Sequence, residues 1–353
     1  MARLIPLIVV AIGVYFWLKS RRSAASVVAP GPPALSDRSV RLGFLPAERL
    51  DTEHAAPPAP ALERALAAAG TGDWTRAADL LTEVGQDWER RSLYTYALGD
   101  AAATEDGWLL AWESARPDDP DAAVVRARST VILAWKLRGA AGAGHTSDEQ
   151  FDAFHRTLAR SREDIARAAT LNPEDPTPYI TEMATAAGFG YPHEEMHRLW
   201  AEASARAPLH YEAHFVALQY WCAKWRGSDE LARAFAARAA ADAPPGSLMS
   251  AFPLIAWFEE HLDETVKKSV YRGAELTALV NAGLVDAAAA PEDHPRLAEL
   301  RHLLAYFLSK QGRYDAALEQ FRLVDGYVDA LPWRYYPTRL YIATREATVR
   351  KAR

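Results

Sequence analysis

Three prolines at a nearly constant spacing constrain this chain more than any other feature. Pro173, Pro208 and Pro244 fall 35 and then 36 residues apart, and they close the similar runs AATLNPEDP, SARAPLHYEAH and RAAADAPPG. Proline lacks a backbone donor and its ring clashes with the preceding turn, so each one ends a helix. Helix ends recurring at that period mark stacked helix–turn–helix units, in which each unit buries its apolar face on the next.

Composition agrees with a mostly helical chain. Half of the 353 residues are hydrophobic and 24% are charged, the balance of a folded protein. The alanine-rich, leucine- and arginine-containing character favours helix, because these side chains lose little freedom there. The formal charge is −6, yet Arg3, Lys19, Arg21 and Arg22 place +4 in the first 22 residues and leave −10 on the rest. An acidic body without a long basic stripe argues against nucleic acid as a partner. The single cysteine, Cys222, excludes an internal disulfide, a cysteine-rich zinc site and an iron–sulfur cluster. Between Trp221 and Ala223 it reads as a small buried apolar residue.

The stretch Leu4 to Leu18, LIPLIVVAIGVYFWL, carries no charge. As a helix it would span roughly 22 Å, short of a hydrocarbon core of ~30 Å. Tyr15, Phe16 and Trp17 suit the headgroup level, and Lys19 can snorkel. A cleaved signal peptide is the competing reading, but it calls for basic residues before the apolar run and small ones after it. Here Lys19-Ser20-Arg21-Arg22 follows. Residues 1–22 are therefore expected to form a single-pass transmembrane anchor, with the body cytoplasmic by the positive-inside bias. Residues 23–60 read as a Pro/Ala-rich linker in which Phe44 and Leu45 are candidates for local docking.

Helical pairs begin at Ala61. LERALAAAGTGDWTRAADLL places Ala65, Gly72, Trp74, Ala77 and Leu81 in a ladder that LLAYFLSKQGRYDAALEQFRLV repeats with Ala305, Gly312, Tyr314, Ala317 and Phe321. Glycine opens the tight turn between antiparallel helices. The aromatic residue wedges into that turn, alanine permits close approach, and the bulky residue fills the space behind. These segments resemble the tetratricopeptide repeat (TPR), with further matches at Ala184, Trp200 and Ala203 before Pro208 and at Gly227, Ala232 and Ala239 before Pro244. The unit ending at Pro173 keeps Ala168, its first helix set apart by the insertion Gly139–Gln150, and Asp229 departs from the pattern where an aromatic is usual. The resemblance implies an all-α, right-handed α-α superhelix: a TPR-like solenoid over residues 61–332, closed by a basic capping helix over 333–353. A basic-aromatic helix lying on anionic lipid is the other reading of that last segment. More narrowly, Leu171–Pro176, His210–Leu218 and the KWxGS residues Lys224, Trp225, Gly227 and Ser228 are similar to a bacterial family of TPR-like proteins without an established activity.

Two stretches imitate catalytic motifs. His193-Glu194-Glu195-Met196-His197 matches HExxH, in which two histidines one helical turn apart hold zinc and the glutamate serves as base. Pro192 puts His193 at a helix start, Glu195 is charged, and Trp200 and Ala203 stand where the longer metzincin form needs glycine and histidine. Glu194 and Glu195 also suit the positive end of the helix dipole. A zinc-dependent hydrolase using His193, Glu194 and His197 is kept as the alternative. Gly139 to Thr146 imitates a phosphate-binding loop but has His145 in place of lysine and no β–α alternation around it.

The favoured function is thus a membrane-anchored scaffold that binds another protein, without catalysis or cofactor. First helices line the concave side of a solenoid. Repeat register puts His214, Ala217, Trp221, Lys224 and Trp225 on one helical face, and His302, Tyr306, Ser309 and Lys310 on another. Aromatic and long basic side chains suit interface hot spots, so His214, Trp221, Lys224, Trp225, His302, Tyr306 and Lys310 are the candidate protein-binding residues. Trp221 and Trp225 read equally as interhelical core, and a closed apolar pocket beside them would suit a small-ligand sensor. The positions of the lysine–asparagine clamp by which some TPR proteins grip acidic peptide ends hold Thr181, Thr185, Ala217 and Trp221, which does not support that ligand class.

Overall fold

A computed structural model describes residues 34–138, 148–262 and 264–353. The apolar stretch Leu4–Leu18 and the glycine-rich Gly139–Thr146 lie outside the described residues. Among those described, the chain is all-α, with seventeen α-helices and no strand. The one extended pairing is an isolated parallel bridge between Asp51 and Tyr327. No described helix is long and apolar enough to cross a membrane.

The described chain divides into two compact units, Pro58–Ser228 and a second made of residues 34–57 with Asp229–Arg353. In the first, α2 (Pro60–Ala69), α3 (Thr75–Val84), α4 (Trp88–Ala102), α5 (Gly107–Ala115), α6 (Pro120–Arg138), α7 (Asp148–Leu171), α8 (Thr177–Phe189), α9 (His193–Arg206) and α10 (Tyr211–Trp221) follow one another. Each packs on its sequence neighbour, and α2, α4, α6, α8 and α10 also pack on one another in that order. That is the contact pattern of helix hairpins laid side by side. In the second unit, α1 (Asp37–Arg41) packs on α17 (Thr338–Lys351). Between them in sequence come α11 (Asp229–Ala241), α12 (Ala251–Glu260), α13 (Lys268–Tyr271), α14 (Ala274–Ala289), α15 (Leu297–Gln311) and α16 (Tyr314–Leu323).

The periodic prolines fall where the sequence places them. Pro173, Pro208 and Pro244 stand two, two and three residues past the ends of α7, α9 and α11. Ladder residues occupy the packed seams: Ala65, Ala77, Leu81, Ala305, Ala317 and Phe321 are all buried. Trp74 stacks on Trp112 with centroids 5.8 Å apart. Gly312 adopts φ +80°, a left-handed cap whose N–H reaches the carbonyls of Leu308 and Ser309.

Charge is buried deep in the first unit. The Arg91 guanidinium donates to Asp175 Oδ2 at 2.8 Å and to Asp121. Arg128 donates to Glu212 Oε1 at 2.7 Å and to Ser92 Oγ at 2.8 Å. Ser92 in turn donates to Glu212. Arginine suits such a site because its fixed fork of donors satisfies several acceptors at once.

Residues 36–57, inside the stretch assigned above to a linker, pack on the second unit. Leu45 N–H donates to Asp325 Oδ2 at 2.8 Å, while Arg345 donates to Asp325 Oδ1 and to the Leu45 carbonyl, each at 2.9 Å. The Phe44 ring is buried 5.0 Å from the Arg345 guanidinium. Further on, Asp51 N–H donates to the Gly326 carbonyl at 2.7 Å, and Asp329 N–H to that of His54 at 3.0 Å. Prolines prevent a long helix in this segment, yet its carbonyls and amides still find partners in the folded body.

Candidate interaction surface

The KWxGS residues follow α10. His210 caps that helix by accepting from Ala213 N–H at 3.3 Å, and its other ring nitrogen lies 3.1 Å from the Trp88 carbonyl. One turn later His214 Nδ1–H donates to the His210 carbonyl at 3.0 Å, and the ring meets Trp200 edge-on at 4.8 Å. Burial lowers its pKa to about 4. His214 is therefore a neutral core residue.

The helix stops at Trp221, which corrects the expected helical face. Cys222 turns to extended backbone with ψ 150°, and Lys224 and Trp225 belong to the turn that follows. Trp225 N–H and Gly227 N–H both reach the Cys222 carbonyl, at 2.9 and 3.3 Å. Gly227 approaches the preceding helix so closely that an added Cβ would sit 1.9 Å from the Trp221 carbonyl oxygen. Only glycine fits that approach, which gives Gly227 a structural cause. Lys224 and Trp225 are half-exposed, whereas Trp221 is buried.

The HExxH histidines face Trp221. Both rings lie 4.9 Å from it by centroid, and His193 Nε2 is 2.7 Å from the Arg226 carbonyl, which its N–H satisfies. His193, Glu194 and His197 are exposed on the first turns of α9. No group of three histidine, cysteine, aspartate or glutamate side chains is placed to hold a metal ion among the described residues. The positions compared with the peptide clamp, Thr181, Thr185, Ala217 and Trp221, are all buried.

On α15 the other predicted residues separate by depth. His302 is fully buried with Nε2 3.2 Å from the Ala55 carbonyl, and burial lowers its pKa to about 4. Tyr306 is buried too; desolvation raises its pKa, and its hydroxyl pairs with that of Tyr271 at 3.1 Å. Lys310 stays half-exposed, with its ammonium 5.0 Å from the Tyr306 ring and 5.7 Å from the Tyr271 ring. Partial burial lowers its pKa.

Of the seven predicted residues, His214, Trp221, His302 and Tyr306 are therefore interior. Lys224, Trp225 and Lys310 are the ones a partner can touch without rearrangement. The aromatic stripe resolves as core at Trp221. Sequence reasoning missed Arg345 and Glu346, both buried on α17. Their signal was present: they stand four residues after Tyr341 and Ile342, on the same apolar stripe. No protein-family model, curated protein or solved structure matches this chain.

Proposed function

We propose that this chain is a TPR-like scaffold, tethered to a membrane by residues 1–22, whose cytoplasmic body binds another protein and performs no chemistry. The observation that carries the reading is the 35- and 36-residue proline spacing, with those prolines just beyond α7, α9 and α11. Repeats of this kind present side chains from successive turns as one continuous surface. Trp225 and Lys224 are the contact residues, because a half-exposed tryptophan beside a cation supplies apolar area and charge together.

The test is purification of the full chain from solubilised membranes, with bound proteins quantified for the wild type and for Lys224→Glu/Trp225→Ala. A stoichiometric partner retained by the wild type and lost by the variant supports the scaffold. Zinc at one equivalent, lost in His197→Ala together with a hydrolytic activity, would overturn it in favour of the hydrolase.

A further inference from the structure

The basic last helix is not used by the scaffold reading, and the structure ties it to the start of the described chain. Ser36 N–H and Ser39 Oγ–H both donate to Glu346 Oε2, at 3.1 and 2.9 Å. Arg38 donates to the carbonyls of Ala352 and Arg353 at 2.7 and 3.1 Å. These four bonds seat α1 on the last turns of α17. From Ser36, the 17 residues 19–35 lead back to Leu18 and include Lys19, Arg21 and Arg22. Even fully extended, that span reaches no farther than ~65 Å.

The inner face of α17 holds Tyr341, Ile342, Glu346 and Val349. The outer face is different in kind. Arg339 and Arg350, eleven residues apart, return to the same side of a helix with exposed Ala343 between them. Lys351 and Arg353 extend the basic end, and α1 adds exposed Arg41 and Val40, the latter 59% accessible. Asp37 on α1 is exposed, Asp315 accepts from Arg353 N–H at 2.7 Å, Asp325 is taken up by Arg345, and Glu346 is buried. Cations therefore predominate here on a chain whose formal charge is −6.

We propose that this outer face of α17 and α1 lies on the anionic headgroup surface of the membrane that holds Leu4–Leu18. The proposal rests on the anchor reading above and adds a second contact to it. Two features select lipid as the occupant: a short tether joins the face to the apolar stretch, and its charge is opposite to that of an acidic leaflet. Tethering keeps the local lipid concentration high, so a few cations suffice where they would not for a free protein. Small Ala343 between the arginines lets both guanidinium groups reach headgroups.

The test reconstitutes the full chain in vesicles of phosphatidylcholine, alone or mixed with phosphatidylglycerol. A fluorophore is placed by Ala343→Cys in a Cys222→Ser background, and energy transfer to a headgroup-labelled lipid is read. Transfer should be at least twofold higher with the anionic lipid. It should fall to the phosphatidylcholine level in ~1 M salt, where the Debye length is ~3 Å, and in Arg350→Glu/Lys351→Glu. Lys351 also meets Tyr314, so Arg339→Glu/Arg350→Glu serves as a second variant, each checked for helical content. Equal transfer in the two lipids, or transfer unaffected by either variant, overturns the proposal. Flotation in carbonate reads the anchor separately. A chain that floats with both lipids but shows equal transfer keeps the anchor and loses the surface. A chain that fails to float in carbonate, but in neutral low-salt buffer floats with anionic lipid only, keeps the surface and loses the anchor.

Discussion

The two units bury charge in different ways. In the first, Arg91 ties α4 to Asp121 on α6 and to Asp175 in the α7–α8 turn, and Arg128 ties α6 to Glu212 on α10. In the second, Arg345 links α17 to Leu45 across 300 residues of sequence. A stack of hairpins can seal itself with its own helices. The second unit instead takes up residues 36–57, a short helix and the irregular chain after it, from the other end of the sequence. Buried ion pairs contribute little net stability, but leaving one partner behind is costly. The cost of losing an arginine should therefore fall on a different set of contacts in each unit.

The largest effects test that division directly. Arg345→Ala leaves Asp325 and Glu346 without their cation and should destabilise the second unit by about 3–5 kcal/mol. Arg91→Ala should do the same to the first by stranding Asp175 and Asp121. Native-state hydrogen exchange resolved by unit reads both, and equal loss of protection in both units from either variant would break the comparison. Phe44→Ala should cost the second unit ~3 kcal/mol by emptying the site against Arg345, and deletion of residues 34–57 should exceed it.

Acid offers a comparison in which the units behave alike. His214 and His302 have folded pKa values of about 4, depressed from 6.5 by burial. As pH falls below about 6.5, the unfolded chain takes up protons that the folded one refuses. Stability should decline down to about pH 4, by up to about 3 kcal/mol for each histidine. His302→Gln should flatten that decline in the second unit and leave it unchanged in the first, as followed by unit-resolved exchange across pH. The turn after α10 is tested next. Gly227→Ala should cost ~3 kcal/mol or more, because the Trp221 carbonyl it meets is backbone and cannot swing aside. Lys224→Glu should weaken partner retention in a pull-down, with thermal unfolding of the variant measured beside it to separate a lost contact from lost stability.

The ladder residues were legible because helix periodicity is local. Ala65, Ala77 and Leu81 lie on seams whose spacing follows from 3.6 residues per turn, and the same holds for Ala305, Ala317 and Phe321. Trp221, Lys224 and Trp225 continue that periodicity on paper, and there the reading failed. The backbone leaves the helix at Trp221, where Gly227 folds back upon it, and no spacing rule registers an approach between main-chain atoms. His302 and Tyr306 kept the helix expected of them, but their exposure was misread. The segment that covers His302 comes from Ala55, 247 residues earlier.

By itself the sequence determined the helices, the residues that end them and the apolar seams, since each follows from neighbours within a turn or two. Only the tertiary structure decided which polar groups went inside, that residues 36–57 would close the second unit, and which predicted contact residues remained at the surface. The physical reason is that burial depends on which distant segments the chain brings together. That outcome comes from competition among many packings, and the residue pattern of any single helix does not encode it.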